Sequence, residues 1–190
     1  GAAGIVVSKV GTYPIHRSEL LDLWHSYKHS IQSKPLYTKE EMKELVSQWQ
    51  SKGETVVFTN GCFDILHRGH ITYLQEAAQL GDHLIIGLNS DSSVQRLKGK
   101  TRPIVSEEDR AALLSALRCI DGVVLFEENT PAELLAYLRP NTLVKGGDYK
   151  IEDIIGRESV DNVEVLSFKE GYSTSDIVGK IATMAKEGKL

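Results

Sequence analysis

Two histidines three residues apart, His67 and His70, close the polar run Thr59-Asn60-Gly61-Cys62-Phe63-Asp64-Ile65-Leu66-His67-Arg68-Gly69-His70. The run leaves a stretch of β-branched residues and enters one of helical period. Such a junction presents unpaired N–H groups and the positive end of a helix dipole, and both favour phosphate. The histidine spacing lets the two imidazoles share one side of the first helical turn. Gly69 between them removes a side chain where a phosphate would approach. Imidazoles placed there can donate hydrogen bonds to phosphate oxygens as charge develops on them. A metal pair and two surface histidines without a role are the competing readings. Zinc asks for a third or fourth ligand, and no Cys or His lies nearby at a suitable spacing.

Further segments carry residue types that suit the same chemistry. Lys98-Gly99-Lys100-Thr101-Arg102-Pro103 concentrates three cations in five residues, downstream of Asn89-Ser90-Asp91 at the end of an apolar run. Ammonium and guanidinium groups suit phosphate oxygens, although such a cluster is ordinarily a solvated loop. In Lys145-Gly146-Gly147-Asp148-Tyr149 the paired glycines expose backbone N–H groups, and Asp148 offers an acceptor to a sugar or base. A plain strand-to-loop turn has the same composition. Tyr172-Ser173-Thr174-Ser175 opens a helix, where hydroxyls serve as caps or as donors to a triphosphate.

The elements that must place these loops alternate along the chain. Thr38 and Glu41 have capping-box spacing, and Met42, Leu45, Val46 and Trp49 follow at helical period as far as Gly53. Residues 55–59 read as a strand. Ile71, Leu74, Ala77 and Ala78 form one face of a helix over 70–80, stopped by Gly81. His83–Asn89 is a second strand, Ser106 opens a helix holding Ala111, Leu114 and Leu117, and Gly122–Phe126 is a third strand. Thr130-Pro131-Ala132-Glu133 combines an N-cap, a proline at the first helical position and an acid at the third, and that helix ends near Arg139-Pro140. Residues 143–145 and 163–168 complete five strands, and a last helix begins at 173–176. Strands separated by helices of about a dozen residues predict an α/β fold with a Rossmann-like, doubly wound, five-stranded parallel sheet. Ligands of such sheets bind beyond the carboxyl ends of the strands, at the switch point. An N-terminal helical appendage precedes the sheet: a helix over 17–28 with Leu20, Leu21 and Trp24 on its apolar stripe, then a linker over 31–37 containing Pro35.

A chain of 190 residues suits one domain with an appendage. At 41% hydrophobic and 25% charged residues, disordered and collagen-like chains are excluded. Lys plus Arg total 22 against 26 Asp plus Glu, a formal charge of -4 that argues against a nucleic-acid partner. No apolar run approaches the roughly 18 residues of a membrane span. Cys62 and Cys119 are too few for a disulfide framework and suit a reducing, cytoplasmic location. Residues 1–7 lack both the basic region of a signal peptide and an initiator methionine, and read as the interior of a longer polypeptide.

Taken together, these segments resemble the cytidylyltransferase-like nucleotidyltransferase superfamily, whose signature is the His-x-Gly-His loop, here His67-Arg68-Gly69-His70. Across residues 38–190 the four segments are most similar to the heptose-phosphate adenylyltransferase branch. Its bifunctional members join the transferase to a preceding ribokinase-like kinase. Residues 1–12 resemble the end of such a kinase, and the chain has no Gly-Ala-Gly-Asp-like kinase motif. The resemblance therefore implies a kinase remnant with linker over 1–37 and a nucleotidyltransferase domain over 38–190. It also implies a kinase domain covalently linked in the parent polypeptide.

The implied reaction is adenylyl transfer from ATP to D-glycero-β-D-manno-heptose 1-phosphate, giving ADP-heptose and pyrophosphate for the lipopolysaccharide inner core, with Mg²⁺ accompanying ATP. In that reading His67, His70 and Lys98 are catalytic. Thr59, Asn60, Gly61, Phe63, Asp64, Gly69, Asn89, Asp91, Arg102, Ser173, Thr174 and Ser175 bind the nucleotide and its phosphates. Lys145, Gly146, Gly147 and Asp148 contact the sugar phosphate, and no residue is a metal ligand. Asp64 is equally read as a residue that orders its loop. A phosphate monoester is largely dianionic at pH 7, so the reaction needs no general base and Cys62 is read as packing. A cytidylyltransferase acting on a polyol or amino-alcohol phosphate, and a non-catalytic nucleotide-binding module, are the alternatives. A homo-oligomer is compatible with each.

Overall fold

The computed structural model describes residues 36–167 and 173–189. The chain divides into two compact units, Gly1–Ser33 and Lys34–Leu190, and the described residues belong to the second. The helix expected over 17–28, most of the 31–37 linker, Tyr172 and the last residue of the 163–168 strand lie outside the described residues.

The first helix, α1 (Lys39–Ser51), starts on a complete capping box: Thr38 Oγ1 accepts the Glu41 N–H at 3.2 Å and the Glu41 carboxylate accepts the Thr38 N–H at 2.9 Å. After it come β1 (Val56–Gly61), α2 (Arg68–Ala77), β2 (His83–Asn89), α3 (Asp91–Lys98), α4 (Glu107–Ser115), β3 (Gly122–Phe126), α5 (Ala132–Leu138), β4 (Thr142–Gly146), β5 (Asn162–Leu166) and α6 (Thr174–Lys186). The strands form one sheet in the order β3-β2-β1-β4-β5, with every pair parallel. This is the five-stranded, doubly wound parallel sheet that the alternation predicts. Strand order reverses between β1 and β4, which pair through Val57↔Thr142 and Phe58↔Leu143.

Alternating side chains of the strands build a core on each face, because successive residues of a strand point to opposite sides. On one face α2 and α4 set Tyr73, Leu74, Ala77, Ala111 and Leu114 against Val57, Leu84, Ile86, Leu88, Val123 and Val144. On the other, α1 and α5 set Met42, Val46, Leu134, Leu135 and Leu138 against Val56, Phe58, Ile85, Val124 and Leu143. Lys43 Nζ and Gln50 Nε2 donate to the Leu138 and Arg139 carbonyls at 3.0 and 2.9 Å, tying α1 to the end of α5.

Several local expectations are corrected. β1 runs two residues past 59, so Asn60 and Gly61 end the strand instead of opening the loop. The second helix starts at Arg68, with His67 as its N-cap. α3 was not expected: it is capped by Ser90 Oγ on the Ser93 N–H and ends at Gly99 with φ 95°. Its buried residues are only Ser93 and Val94, too few to show a helical period. Pro131, not Thr130, is the N-cap of α5, and no side chain caps that helix. No α-helix joins β4 to β5; two single 3₁₀ turns, Ile151–Asp153 and Arg157–Ser159, make the connection. Tyr37, expected in the linker, donates its N–H to the Val123 carbonyl at 2.9 Å and so extends the β3 edge of the sheet.

Candidate active site

The loop from β1 into α2 is shaped by its own residues. Phe63 adopts a left-handed conformation, φ 45°, uncommon for a bulky side chain. Its ring folds back over Gly61, where a Cβ would meet Phe63 Cε2 at 3.0 Å, so the position has little room for a side chain. The buried Phe63 ring then meets the His70 ring edge-on, centroids 5.3 Å apart. His67 Nδ1 accepts the His70 backbone N–H at 3.4 Å, capping α2. That bond puts the proton of the neutral ring on Nε2. The two imidazoles stack at 3.8 Å with planes 17° apart. Burial lowers the pKa of His67; burial, then the neighbouring His67 and Lys98, pushes His70 down to about 4. Both rings are therefore neutral near pH 7. His70 Nδ1 is buried without a hydrogen-bond partner among the described residues.

A cleft of about 350 Å³ opens at the switch point and draws together all four segments. Asn60, Gly61, Cys62, Phe63, Asp64 and His70 come from the β1–α2 run and Lys98 from the end of α3. Lys145, Gly146 and Tyr149 come from the end of β4, and Thr174 from the start of α6. Lys98 is exposed, whereas Lys145 is half-buried and donates to Asn60 Oδ1 across the reversal of strand order. Burial pushes the Lys145 ammonium down to about 8. Tyr149, absent from the expected site, lines the cleft, while Asp148 beside it is exposed and outside the lining.

Other expected contacts have structural partners. Thr59 is buried, and its hydroxyl lies 2.6 Å from that of Tyr73, which itself donates to the Val144 carbonyl at 3.2 Å. Burial pushes the Tyr73 phenol up to about 12. Gly147, φ 122°, does not offer a free N–H: it donates to the Leu166 carbonyl at 2.9 Å, continuing the ladder to β5. Ser173 Oγ caps α6 by accepting the Asp176 N–H at 3.0 Å, and Ser175 is exposed outside the cleft lining.

Asp64 and Arg102, both expected at the nucleotide, form an ion pair with each other. Asp64 accepts from Arg102 Nε at 2.5 Å and from the Ile104 and Val105 amides at 2.7 and 3.0 Å. Burial alone would raise its carboxyl; the Val105 amide, Arg102 and the Ile104 amide outweigh that and hold it below the ordinary carboxylate value. Asp64 thus orders the loop that follows Lys98, and Arg102 is outside the cleft lining.

A residue that sequence reasoning missed holds the rest. Arg110 is fully buried and donates to the carbonyls of Val105, Cys62 and Asn89 and to Asp91 Oδ1, at 3.0, 2.6, 2.9 and 2.7 Å. One guanidinium thereby fastens the carboxyl ends of β1 and β2 to the start of α3. Asn89 and Asp91 belong to this network, and the Asn89 side chain donates to Ser93 Oγ at 3.0 Å. The available signal was position: Arg110 precedes Leu114 by one helical turn and so falls on the core face of α4.

A cleft at the β1/β4 switch point, lined by two lysines and by His70 of a stacked histidine pair at a helix start, accords with a nucleotidyltransferase. The chain belongs to the Cytidylyltransferase-like family, whose model matches residues 58–180. Its relatives include two proteins named Bifunctional protein HldE. The one from Wolinella succinogenes is 47% identical over 180 residues and the one from Campylobacter jejuni 49% over 180; each alignment takes in 95% of this chain and 38% of the relative. The chain therefore spans well under half the length of these relatives. A solved structure, the lipopolysaccharide core biosynthesis protein from Thermoplasma volcanium, is 32% identical with a TM-score of 0.52, covering 64% of this chain and all of that one.

Proposed function

We propose that the chain transfers the adenylyl group of ATP to D-glycero-β-D-manno-heptose 1-phosphate, releasing pyrophosphate and forming ADP-heptose for lipopolysaccharide synthesis. The observation that carries the reading is the convergence of His70, Lys98 and Lys145 at one cleft, with His67 stacked on His70 at the start of α2. The sugar phosphate is its own nucleophile, so positioning and charge neutralisation suffice. The α2 amides and His67 Nε2–H meet triphosphate oxygens, His70 adds a second imidazole, and the ammonium of Lys98 offsets charge that develops on the leaving pyrophosphate. Thr174 adds a hydroxyl from the start of α6. The similarity to a protein named for lipopolysaccharide core biosynthesis supports a sugar phosphate of that core over a polyol phosphate.

The cleft does not build a resident Mg²⁺ site. Its carboxylate, Asp64, is committed to Arg102 and two amides, and the described residues contain no cluster of three or more His, Cys, Asp or Glu able to hold a metal. Mg²⁺ belongs in this scheme with the triphosphate, as part of the substrate. We assign residues 38–190 to the transferase and 1–37 to the end of a kinase domain linked in the parent polypeptide. Relatives that are named bifunctional and are longer than this chain support that division. A cytoplasmic location suits an ATP-dependent reaction and the two free cysteines. No helix among the described residues is long and apolar enough to cross a membrane.

His70→Ala is expected to lower the rate of pyrophosphate release by about 10²–10³, the cost of losing one preorganised donor. Turnover at the wild-type rate by a folded His70→Ala protein would refute the assignment of the cleft.

A further inference from the structure

The register between β1 and β4 ends at Phe58↔Leu143, although β1 continues to Gly61 and β4 to Gly146. On their outer sides the same stretches stay paired, Gly61 with Leu88 and Gly146 with Leu166. The two strands therefore part only from each other, and the cleft opens where they part, lined by Asn60, Gly61, Lys145 and Gly146. Thr59 and Val144 are the first residues beyond the last pair on each strand. The Tyr73 hydroxyl stands between them, 2.6 Å from Thr59 Oγ1 and 3.2 Å from the Val144 carbonyl, to which it donates. With the phenolic proton committed there, the Thr59 hydroxyl donates to the phenol. One phenol thus takes the place of the next rung of the ladder, at the width of a side chain. Burial raises the Tyr73 pKa to about 12, which keeps this donor protonated across the neutral range.

Tyr73 also lies one helical turn beyond His70 on α2, and both line the cleft. Its ring belongs to the core with Val57, Leu74 and Val144, a place that a phenylalanine would fill equally well. The hydroxyl ties α2, and with it the histidine pair, to both strands at the point of parting. We propose that Tyr73 is a positioning residue for the transfer: its hydroxyl holds β1 and β4 apart at the switch point and seats α2 so that His70 faces the bound phosphates. This role rests on reading the cleft as a nucleotidyl-transfer site, and it acts through geometry, without contact between Tyr73 and the reacting atoms.

Tyr73→Phe keeps the ring and removes the bridge. Steady-state pyrophosphate release by the variant, with thermal melts as a check on folding, is expected to show kcat lowered by about 10–100-fold, the cost of a small misplacement of a catalytic group. KM for ATP and for heptose 1-phosphate should stay within about threefold of wild type, since binding is left in place. Nitrogen NMR of labelled imidazoles adds a reading that needs no turnover. The His70 ring signals should shift in Tyr73→Phe while those of His83 stay in place, because His83 sits at the amino end of β2 against Trp49, Glu54 and Asp121. A kcat within about twofold of wild type, a loss confined to KM, unmoved His70 signals, or displacement of His70 and His83 alike overturns the proposal. Should Tyr73→Phe fail to fold, Thr59→Val, which removes the other hydroxyl of the bridge, is judged by the same criteria. A wild type that releases no pyrophosphate refutes the proposed reaction, and the imidazole signals then decide the role of Tyr73.

Discussion

At the scale of single residues, burial lowers the pKa of both imidazoles of the histidine pair. His70 lies against Phe63 and His67 and is pushed down to about 4 from an ordinary 6.5, chiefly by burial. In the unfolded chain the same imidazole takes up its proton at the ordinary value. Between pH 6.5 and 4 the unfolded state therefore binds more protons, so stability is lost as pH falls through that window. His70→Asn removes this linkage, and its Tm should fall less steeply than wild type from pH 6.5 to 4 in a calorimetric series. Parallel curves would show that His70 is not held neutral by the fold. The pairing of the two imidazoles was legible in the sequence because His67 and His70 sit in one contiguous motif at a helix start. A loop-ordering role for Asp64 was legible too, but its pairing with Arg102 was not. Both have the right chemistry for a ligand, and only their juxtaposition 38 residues apart shows that they satisfy each other.

At the scale of elements, the sheet order presents the loops and Arg110 locks them. The α/β alternation, the five strands and the helix starts at Thr38, Ser106 and Ser173 could be read from apolar period and capping residues, since those signals are local. Arg110 could not, because its acceptors Cys62 and Asn89 lie 48 and 21 residues away and the contacts exist only after β1 and β2 pair. α3 escaped for the opposite reason: it is local but nearly devoid of apolar residues on its buried side. Arg110→Met removes the shared donor while keeping most of the volume, leaving three carbonyls and Asp91 without it. The expected cost is about 3 kcal/mol, as for breaking a buried charged pair. Urea unfolding measures it, and a loss below about 1 kcal/mol would mean that these strand ends are held by other contacts.

At the scale of the whole molecule, a formal charge of -4 conceals a local reversal, since Lys98 and Lys145 flank a cleft whose carboxylate is neutralised by Arg102. That distribution suits a small polyanion without making the chain a general anion binder. The proposed transfer converts one nucleotide and one sugar phosphate into a sugar nucleotide and pyrophosphate, in equal amounts. Phosphorus NMR of the protein with Mg²⁺, heptose 1-phosphate and either ATP or CTP follows every species at once. The account predicts that with ATP the sugar phosphate resonance gives way to the two coupled phosphates of ADP-heptose, matched one to one by pyrophosphate, and that CTP is consumed far more slowly. Unchanged nucleotide, release of orthophosphate in place of pyrophosphate, or preferential consumption of CTP would contradict it.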